Sequence, residues 1–266
     1  MILSLCRVRF HFQALDPIQF PANKAANVLR GAVGGSLPEG LFAPRGTGPG
    51  PSGLLDRPRP FVFRAAHLDG SSIASGERFH VDLHLFDRSR EVYGQFLEAF
   101  RQIGRDGIGA RRARAQLLEA QSEPLEFALP EKPVPANRVA IRFVTPTELK
   151  DGGRIIEQPD FAVLFGRARD RVSSLRSFYG PGPLDLDFRA MGERAALIEM
   201  TRCDIRPVDV QRRSSRTRQT HPIGGVVGDA EYEGDLGEFI PILEVAQFTG
   251  VGRQTVWGKG QIEIRL

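Results

Sequence analysis

The pattern of apolar residues follows the same plan twice along this 266-residue chain, and this repetition limits the folds that are open to it. In the first half, residues 6–13 alternate apolar and polar side chains, which predicts a strand with one buried face. An apolar stripe with helical spacing follows in residues 21–37, where Pro21 marks the predicted start of a helix. Two strands, a second helix over residues 91–103 and a final strand complete this half. That order is the split β-α-β unit of the ferredoxin-like fold.

The second half repeats the order after a proline-rich linker at residues 128–138. A strand at residues 138–149 precedes an amphipathic helix at residues 159–178, and residues 195–213 and 221–234 are predicted to form a hairpin. The last predicted helix, residues 236–248, contains Pro241 in its interior, and a strand closes the chain. We therefore predict an α+β protein with two tandem ferredoxin-like (RRM-like) domains, at residues 1–132 and 133–266.

Charge and cysteine content restrict the class of protein further. The chain has 36 basic and 32 acidic residues, a net charge of +4, which is a weak indication of a polyanionic partner. Cys6 and Cys203 lie far apart without metal-ligand spacing, as expected in a reducing cytoplasm. Arg7 and Arg9 interrupt the first apolar run, so the N-terminal residues do not have the pattern of a signal peptide. No apolar stretch is long enough to span a membrane. We predict a cytoplasmic protein without a membrane partner.

A basic glycine-rich loop precedes the last predicted strand. Its glycines and cations are Gly250, Gly252, Gly258, Gly260, Arg253 and Lys259. A phosphate-binding P-loop would end in Gly-Lys-Ser/Thr before a helix, and a dinucleotide fingerprint would need a glycine in place of Thr255. Two interpretations remain. In the first, the backbone amides and the two cations bind an extended phosphodiester chain. In the second, the glycines only permit a tight helix-to-strand corner.

Taken together, several stretches resemble one known family. They are residues 29–37, 51–65, 79–87, 107–117, 218–234 and 250–264, in that order. With the two ferredoxin-like halves and the terminal glycine-rich loop, they are similar to the RAMP superfamily of CRISPR-associated proteins. Within it, the chain resembles the endoribonucleases that process precursor CRISPR RNA, the Cas-six family. The loop alone is typical of the whole superfamily, whereas the combination is specific.

The resemblance implies a reaction and its partners. In the family, a ribose 2′-hydroxyl attacks the adjacent phosphate, which gives a 2′,3′-cyclic phosphate and a 5′-hydroxyl without metal or other cofactor. Such a reaction needs a general base, a general acid and a cation near the phosphorane. The absence of a Cys/His or paired-carboxylate metal motif is consistent with it. The implied partners are CRISPR repeat RNA and other CRISPR effector subunits, and the functional unit is a monomer or a homodimer.

The first helix departs from the family pattern. Many members carry a catalytic histidine there, but residues 21–37 contain none, and Lys24 and Arg30 are their only charged residues. Family members without that histidine rely on basic residues, so both cations are candidates for the active site. The candidates for the general base are His221, beside a run of arginines, and His11 and His84, on the polar faces of neighbouring strands. For each histidine, a role as an ordinary surface residue is the alternative.

The arginine run contains Arg212, Arg213, Arg216 and Arg218. Given the resemblance, we expect it to contact the RNA backbone, with a solvated turn as the alternative. Two rival functions remain open beside the endoribonuclease. One is a RAMP subunit that holds RNA in an interference complex without cutting it. The other is a generic RRM-like RNA-binding protein, which would need aromatic residues on the central strands where this chain has arginine and histidine.

Overall fold

A computed structural model describes residues 2–42, 57–128, 130, 135–213 and 219–266 of the chain. The chain divides into two compact units, and each unit contains more than one segment of the sequence. The N-terminal unit comprises Ser4–Glu126 together with Val256–Gly258. The C-terminal unit comprises Met1–Leu3, Phe127–Thr255 and Lys259–Leu266. A short segment of the glycine-rich loop therefore belongs to the N-terminal unit.

In its described residues, the N-terminal unit contains one four-stranded antiparallel sheet, a pair of short strands and three α-helices. Its elements are β1 (Leu3–Ala14), β2 (Ile18–Gln19), α1 (Ala25–Val33), α2 (Glu39–Phe42), β3 (Phe61–Arg64), β4 (Ser72–Ile73), β5 (Arg78–Leu85), α3 (Arg90–Asp106) and β6 (Ala115–Phe127). The strand order β3-β5-β1-β6 is the antiparallel order of the ferredoxin-like fold. The short strands β2 and β4 form a separate pair.

Alternation along β1 places one set of side chains in the core of this unit. Phe10 and Phe12 are fully buried, and Phe10 packs on Phe100 of α3 with ring centroids 4.2 Å apart. Leu29 and Val33 of α1 join the same apolar cluster. The opposite face of the sheet carries the polar residues of β1 and β5, as the period-two pattern predicts.

The C-terminal unit repeats this architecture. Its elements are β7 (Arg138–Thr147), β8 (Leu149–Asp151), β9 (Arg154–Ile156), α4 (Phe161–Tyr179), α5 (Phe188–Ala195), β10 (Glu199–Val208), β11 (Gln211–Arg213), β12 (Thr220–Pro222), β13 (Gly225–Glu233), α6 (Ile240–Thr249) and β14 (Ile262–Arg265). The strand order β10-β13-β7-β14 is equivalent to that of the first sheet. The predicted α+β class with two ferredoxin-like domains is confirmed.

An aromatic cluster forms the core of the second unit. Phe161 and Phe165 of α4 pack against Phe239, with ring centroids 5.3 and 4.7 Å away. Tyr232 of β13 is fully buried, and its hydroxyl donates a hydrogen bond of 2.9 Å to the backbone oxygen of Pro159. This bond satisfies the polar atom that the buried ring brings into the core.

Helix bounds differ from the predicted ones at two prolines. The first helix begins at Ala25 rather than at Pro21, because Asn23 has a left-handed φ of 58° and Asp69 Oδ1 accepts the Ala25 N–H at 2.7 Å. Pro241 was predicted inside the last helix. It lies in the first turn of α6, where the missing N–H costs no helical hydrogen bond.

Some elements carry too little periodicity to be found from the sequence. Residues 38–60, predicted as a long loop, contain the short helix α2, and residues 43–56 of that stretch lie outside the described part of the chain. The eight-residue helix α5 and the small pairs β2–β4 and β8–β9 were also missed. In the described part of the chain, no helix combines the length and the apolar character that crossing a membrane requires.

Candidate active site and nucleic-acid interface

The glycine-rich loop joins α6 to β14 through four left-handed glycines. Their φ angles are 79°, 76°, 73° and 67° at Gly250, Gly252, Gly258 and Gly260. A Cβ atom at Gly252 would lie 2.4 Å from the backbone oxygen of Glu148, and one at Gly260 would lie 1.9 Å from that of Val251. The corner itself therefore requires these glycines. Their contact with RNA remains a prediction.

The middle of the loop packs against α1 within the N-terminal unit. A Cβ atom at Gly258 would lie 2.2 Å from Cβ of Ala26, so the loop backbone lies directly on the helix. One residue earlier, the ring of Trp257 lies 5.6 Å from the guanidinium carbon of Arg30. Val256–Gly258 and the first helix, which are about 230 residues apart in sequence, thus form one local structure within the N-terminal unit.

Aromatic rings hold Arg30, the cation in the last turn of α1. Its guanidinium carbon lies 4.3 Å from the ring centroid of Phe42, in addition to its contact with Trp257. A guanidinium that stacks on aromatic faces still donates hydrogen bonds along its edge, which suits the recognition of a phosphate. Lys24 is the N-cap residue of the same helix, and both cations are half-buried.

In the C-terminal unit, Arg253 extends from the loop with 57% of its side chain exposed. Its Nη1 donates to Oε1 of Glu148 at 2.7 Å, and its backbone N–H donates to the backbone oxygen of the same residue at 3.1 Å. Lys259, by contrast, is buried to 2% exposure. Of the two loop cations that the sequence singled out, Arg253 is the one that reaches solvent.

Arg212 and Arg213 of the arginine run lie in β11, which pairs with β12 as a two-stranded hairpin. Arg212 pairs with His221 in the backbone register of this hairpin. Arg212 is half-buried and His221 is exposed. Arg216, Arg218 and the side chain of Arg213 lie outside the described residues. The structure thus places the candidate base His221 next to at least one arginine of the predicted RNA-binding segment.

The polar face of the N-terminal sheet carries the other two candidate histidines. The register pairs Arg7 with His84 and His11 with His80, so all four lie on one face, as the sequence predicts. His84 is 6% exposed and His11 is half-buried. Burial, followed by the charges of neighbouring cations, lowers the pKa of His80, whose ring stacks on that of His67 at 4.2 Å.

An ion pair lies in the middle of this polar face. Arg9 Nε and Nη2 donate to the two carboxylate oxygens of Asp82 at 2.7 and 2.8 Å. Burial alone would raise the pKa of Asp82, but the hydrogen bond and charge of Arg9 lower it. Arg9 thereby has a carboxylate partner within the protein, so the basic face contains less uncompensated charge than its sequence suggests.

Within the N-terminal unit, the candidate residues fall on two sides of the sheet. Lys24 and Arg30 lie with α1, which packs on the apolar face through Leu29 and Val33. His11 and His84 lie on the opposite face. A single phosphate bound beside α1 and the loop therefore cannot contact both sets at once.

Two contacts of the candidate cations could not be predicted from the sequence. Phe42 lies in a stretch that the sequence predicts as irregular, so nothing indicated its contact with Arg30. Glu148 lies near the end of the strand predicted at residues 138–149 and is 105 residues from Arg253, a separation that no periodic pattern bridges. Among the described residues, no group of three or more His, Cys, Asp or Glu side chains is arranged to hold a metal ion.

Comparison with known protein families gives two matches that together span most of the chain. The family of the CRISPR-associated endoribonuclease Cas6 matches residues 141–262. A second family, described as an N-terminal domain, matches residues 40–137. No curated protein matches the sequence of the chain.

Solved structures share the fold over the whole chain. Thermus thermophilus Cas6 (TTHB231) is 17% identical with a TM-score of 0.60, and the match covers 98% of each chain. A Cas6 (TTHB231) product complex is 19% identical with a TM-score of 0.62, covering 98% of this chain and 99% of that chain. A partial Cas6-RT-Cas1–Cas2 complex is 11% identical with a TM-score of 0.63, covering 100% of this chain and 47% of that chain. At these identities the likeness concerns the fold.

Proposed function

Because residues 141–262 match the family of the CRISPR-associated endoribonuclease Cas6, we propose that this chain acts as a member of that family: it binds the repeat RNA of a CRISPR precursor transcript and cleaves it without a metal ion. In the proposed reaction, a ribose 2′-oxygen forms a bond to the adjacent phosphorus while the bond to the 5′-oxygen breaks. A base takes the 2′-proton, and an acid returns a proton to the 5′-oxygen. The products are a 2′,3′-cyclic phosphate and a 5′-hydroxyl end.

The packing of the loop on α1 is the observation that carries this proposal. Gly258 lies against Ala26, and Trp257 lies beside Arg30, so the glycine-rich loop meets the helix that holds the two candidate cations. Arg30 is held at a ring face and is suited to stabilise the charge that develops on the phosphorane. Lys24, at the start of the same helix, is the second candidate for this role.

We keep three histidines as candidates for the general base, and we rank them by position. His221 is exposed and lies in the arginine hairpin, so it comes first. His11 and His84 lie on the sheet face opposite α1, and His84 is buried. If the phosphate binds at the loop and α1, we expect these two histidines to be dispensable for the chemical step.

Affinity for the RNA would come from cations outside the reacting centre. Arg253 of the loop and Arg212 of the hairpin are candidates, with Arg216 and Arg218 proposed from the sequence alone. Such contacts bind the RNA backbone and make affinity depend on salt. One matched structure is a complex of Cas6, RT, Cas1 and Cas2, which supports a proposal that this chain also joins other CRISPR proteins. We place the reaction in the cytoplasm, consistent with the free thiols of Cys6 and Cys203.

The test uses end-labelled RNA of the repeat from the protein's own CRISPR array. One discrete cut in the presence of EDTA, lost when the ribose 5′ to the cut is 2′-deoxy, would support the metal-independent mechanism. The cyclic phosphate is checked by the resistance of the 3′ end to phosphatase until acid treatment opens it. Cleavage that stops in EDTA would contradict metal independence, and tight binding without any cut would favour an RNA-holding subunit.

Single substitutions then assign the roles of the side chains. We expect His221→Ala to lower the cleavage rate by about 10²-fold or more if His221 is the base. His11→Ala serves as the control on the opposite sheet face and is expected to leave the rate within a few-fold of wild type. The reverse result would move the site to that face.

A further inference from the structure

One buried acid contacts the proposed RNA-binding loop. Glu148 lies between β7 and β8 in the C-terminal unit, and its side chain is 8% exposed. An acidic group beside a polyanion site lowers the affinity for RNA by repulsion unless it has another role there. Its contacts indicate what that role is.

Glu148 holds Arg253 at two points. The carboxylate accepts a hydrogen bond of 2.7 Å from Nη1, and the backbone oxygen accepts one of 3.1 Å from the Arg253 N–H. The approach is possible because Gly252 has no Cβ, which would lie 2.4 Å from that backbone oxygen. One nitrogen of the guanidinium is thus bound to the protein, while 57% of the side chain is exposed.

Gln254 extends the same network to the arginine hairpin. Its Nε2 donates to Oε2 of Glu148 at 3.3 Å and to the backbone oxygen of Pro222 in β12 at 2.9 Å. Gln254 has a left-handed φ of 63°, a conformation that is unfavourable for a residue with a side chain. The strain is consistent with a side chain that is required at this position.

We propose that Glu148 is a positioning residue for RNA binding: it orients Arg253 toward an RNA phosphate and, through Gln254, ties the glycine-rich loop to the arginine hairpin. This inference rests on the proposed function. A long arginine side chain loses rotamer freedom when it binds a phosphate, and a carboxylate that fixes it beforehand reduces this cost. The free energy gained by orientation then exceeds the repulsion between Glu148 and the phosphate.

For one substitution, the proposal and simple electrostatics predict changes in RNA affinity of opposite sign. Glu148→Ala removes a negative charge, so charge alone predicts tighter RNA binding. If Glu148 positions Arg253, the variant binds RNA more weakly, about tenfold, as for the loss of one charge-assisted contact. Asp151→Ala is the matched control, because Asp151 is an exposed acid of the adjacent β8.

Affinity is measured by titration with repeat RNA that carries a 2′-deoxy ribose at the cut site, at 50 and 200 mM salt. Each phosphate contact contributes about a threefold change in affinity over this range. We expect Glu148→Ala and Arg253→Ala each to reduce the salt effect by about that factor. The variant that combines Glu148→Ala with Arg253→Ala should bind RNA no more weakly than Arg253→Ala alone, because both substitutions remove the same contact.

A substitution at Gln254 separates positioning from folding. Gln254→Gly relieves the left-handed backbone but removes the link to Glu148 and Pro222, so we expect a melting temperature at or above wild type with weaker RNA binding. If Glu148→Ala does not fold, this variant and Glu148→Gln, which keeps an acceptor for Arg253, decide the question. Wild-type affinity in a folded Glu148→Ala, or in Gln254→Gly, overturns the inference. Wild-type protein that neither binds nor cuts repeat RNA overturns the proposed function instead.

Discussion

Gly258→Ala tests whether the packing of the loop on α1 is needed for catalysis. At this position φ is 73°, and a non-glycine residue in that region costs about 1–2 kcal/mol. The added Cβ would lie 2.2 Å from Cβ of Ala26, more than 1 Å inside ordinary contact, and overpacking of this kind costs about 1–3 kcal/mol. The sum is about 2–5 kcal/mol if the loop stays in place. Moving the loop away from the helix is the alternative.

Either response separates Trp257 from its position beside Arg30 or destabilises the N-terminal unit. A displacement of about 1 Å at a reacting centre can lower the rate about 10²-fold, so we expect a loss of that size in kcat/KM for repeat RNA. Gly76→Ala is the matched control, since Gly76 has a φ of 85° but a Cβ there meets no atom within 4 Å. It should lose only the backbone contribution of about 1–2 kcal/mol and keep its activity.

The assays are thermal unfolding of both variants and single-turnover cleavage at saturating and limiting protein concentrations. A stable Gly258→Ala variant that cleaves at the wild-type rate would refute the reasoning, because the loop would then have no role next to α1. Equal losses in Gly258→Ala and Gly76→Ala would show that backbone strain, rather than contact with α1, causes the effect.

Three further predictions follow from single side chains. Arg30→Lys keeps the charge but loses the stacked plane, so we expect cleavage to fall at least tenfold with little change in RNA affinity, and an unchanged single-turnover rate would contradict this role. Burial raises the pKa of Tyr232 above its ordinary value of about 10, so its contribution to stability is complete below that pH and is lost as the pH rises further. Tyr232→Phe, which loses the bond to Pro159, should cost about 1 kcal/mol at pH 8 and flatten the alkaline decline in urea unfolding. Hydrogen bonds from Arg114 lower the pKa of Asp16 to about 2, so its contribution is present above about pH 4 and is lost as the pH falls toward 2. The stability difference between wild type and Asp16→Asn should therefore vanish in acid.

Much of the fold could be predicted because strands and helices have a short period. The alternation in β1 assigned Phe10 and Phe12 to the core and His11 to the other face, and the register confirms both. The order of elements in each half then fixed the class, because few arrangements bury the apolar faces of that order. The start of α1 could not be predicted from local sequence, because Asp69, which is distant in sequence, accepts the hydrogen bond of the Ala25 N–H.

The candidate site was predictable in its residue types but not in its arrangement. The glycines and cations near the C-terminus were visible in the sequence, and so were the missing histidine of α1 and the arginine run. Their partners were not visible, because the contacts of Glu148 with Arg253 and of Phe42 with Arg30 join segments that no periodic pattern connects. The sequence also grouped Lys24 with His11 and His84, which the sheet separates onto opposite faces.

The sequence by itself determined the two ferredoxin-like halves and the set of polar residues available for chemistry. Periodicity and local motifs carry that information, since each spans a few tens of residues at most. Only the tertiary structure decided that Val256–Gly258 joins the N-terminal unit, that Arg30 stacks beside Trp257, and that Glu148 holds Arg253. These contacts join residues that are more than 100 positions apart, and their geometry depends on how the packed elements fix the ends of irregular loops.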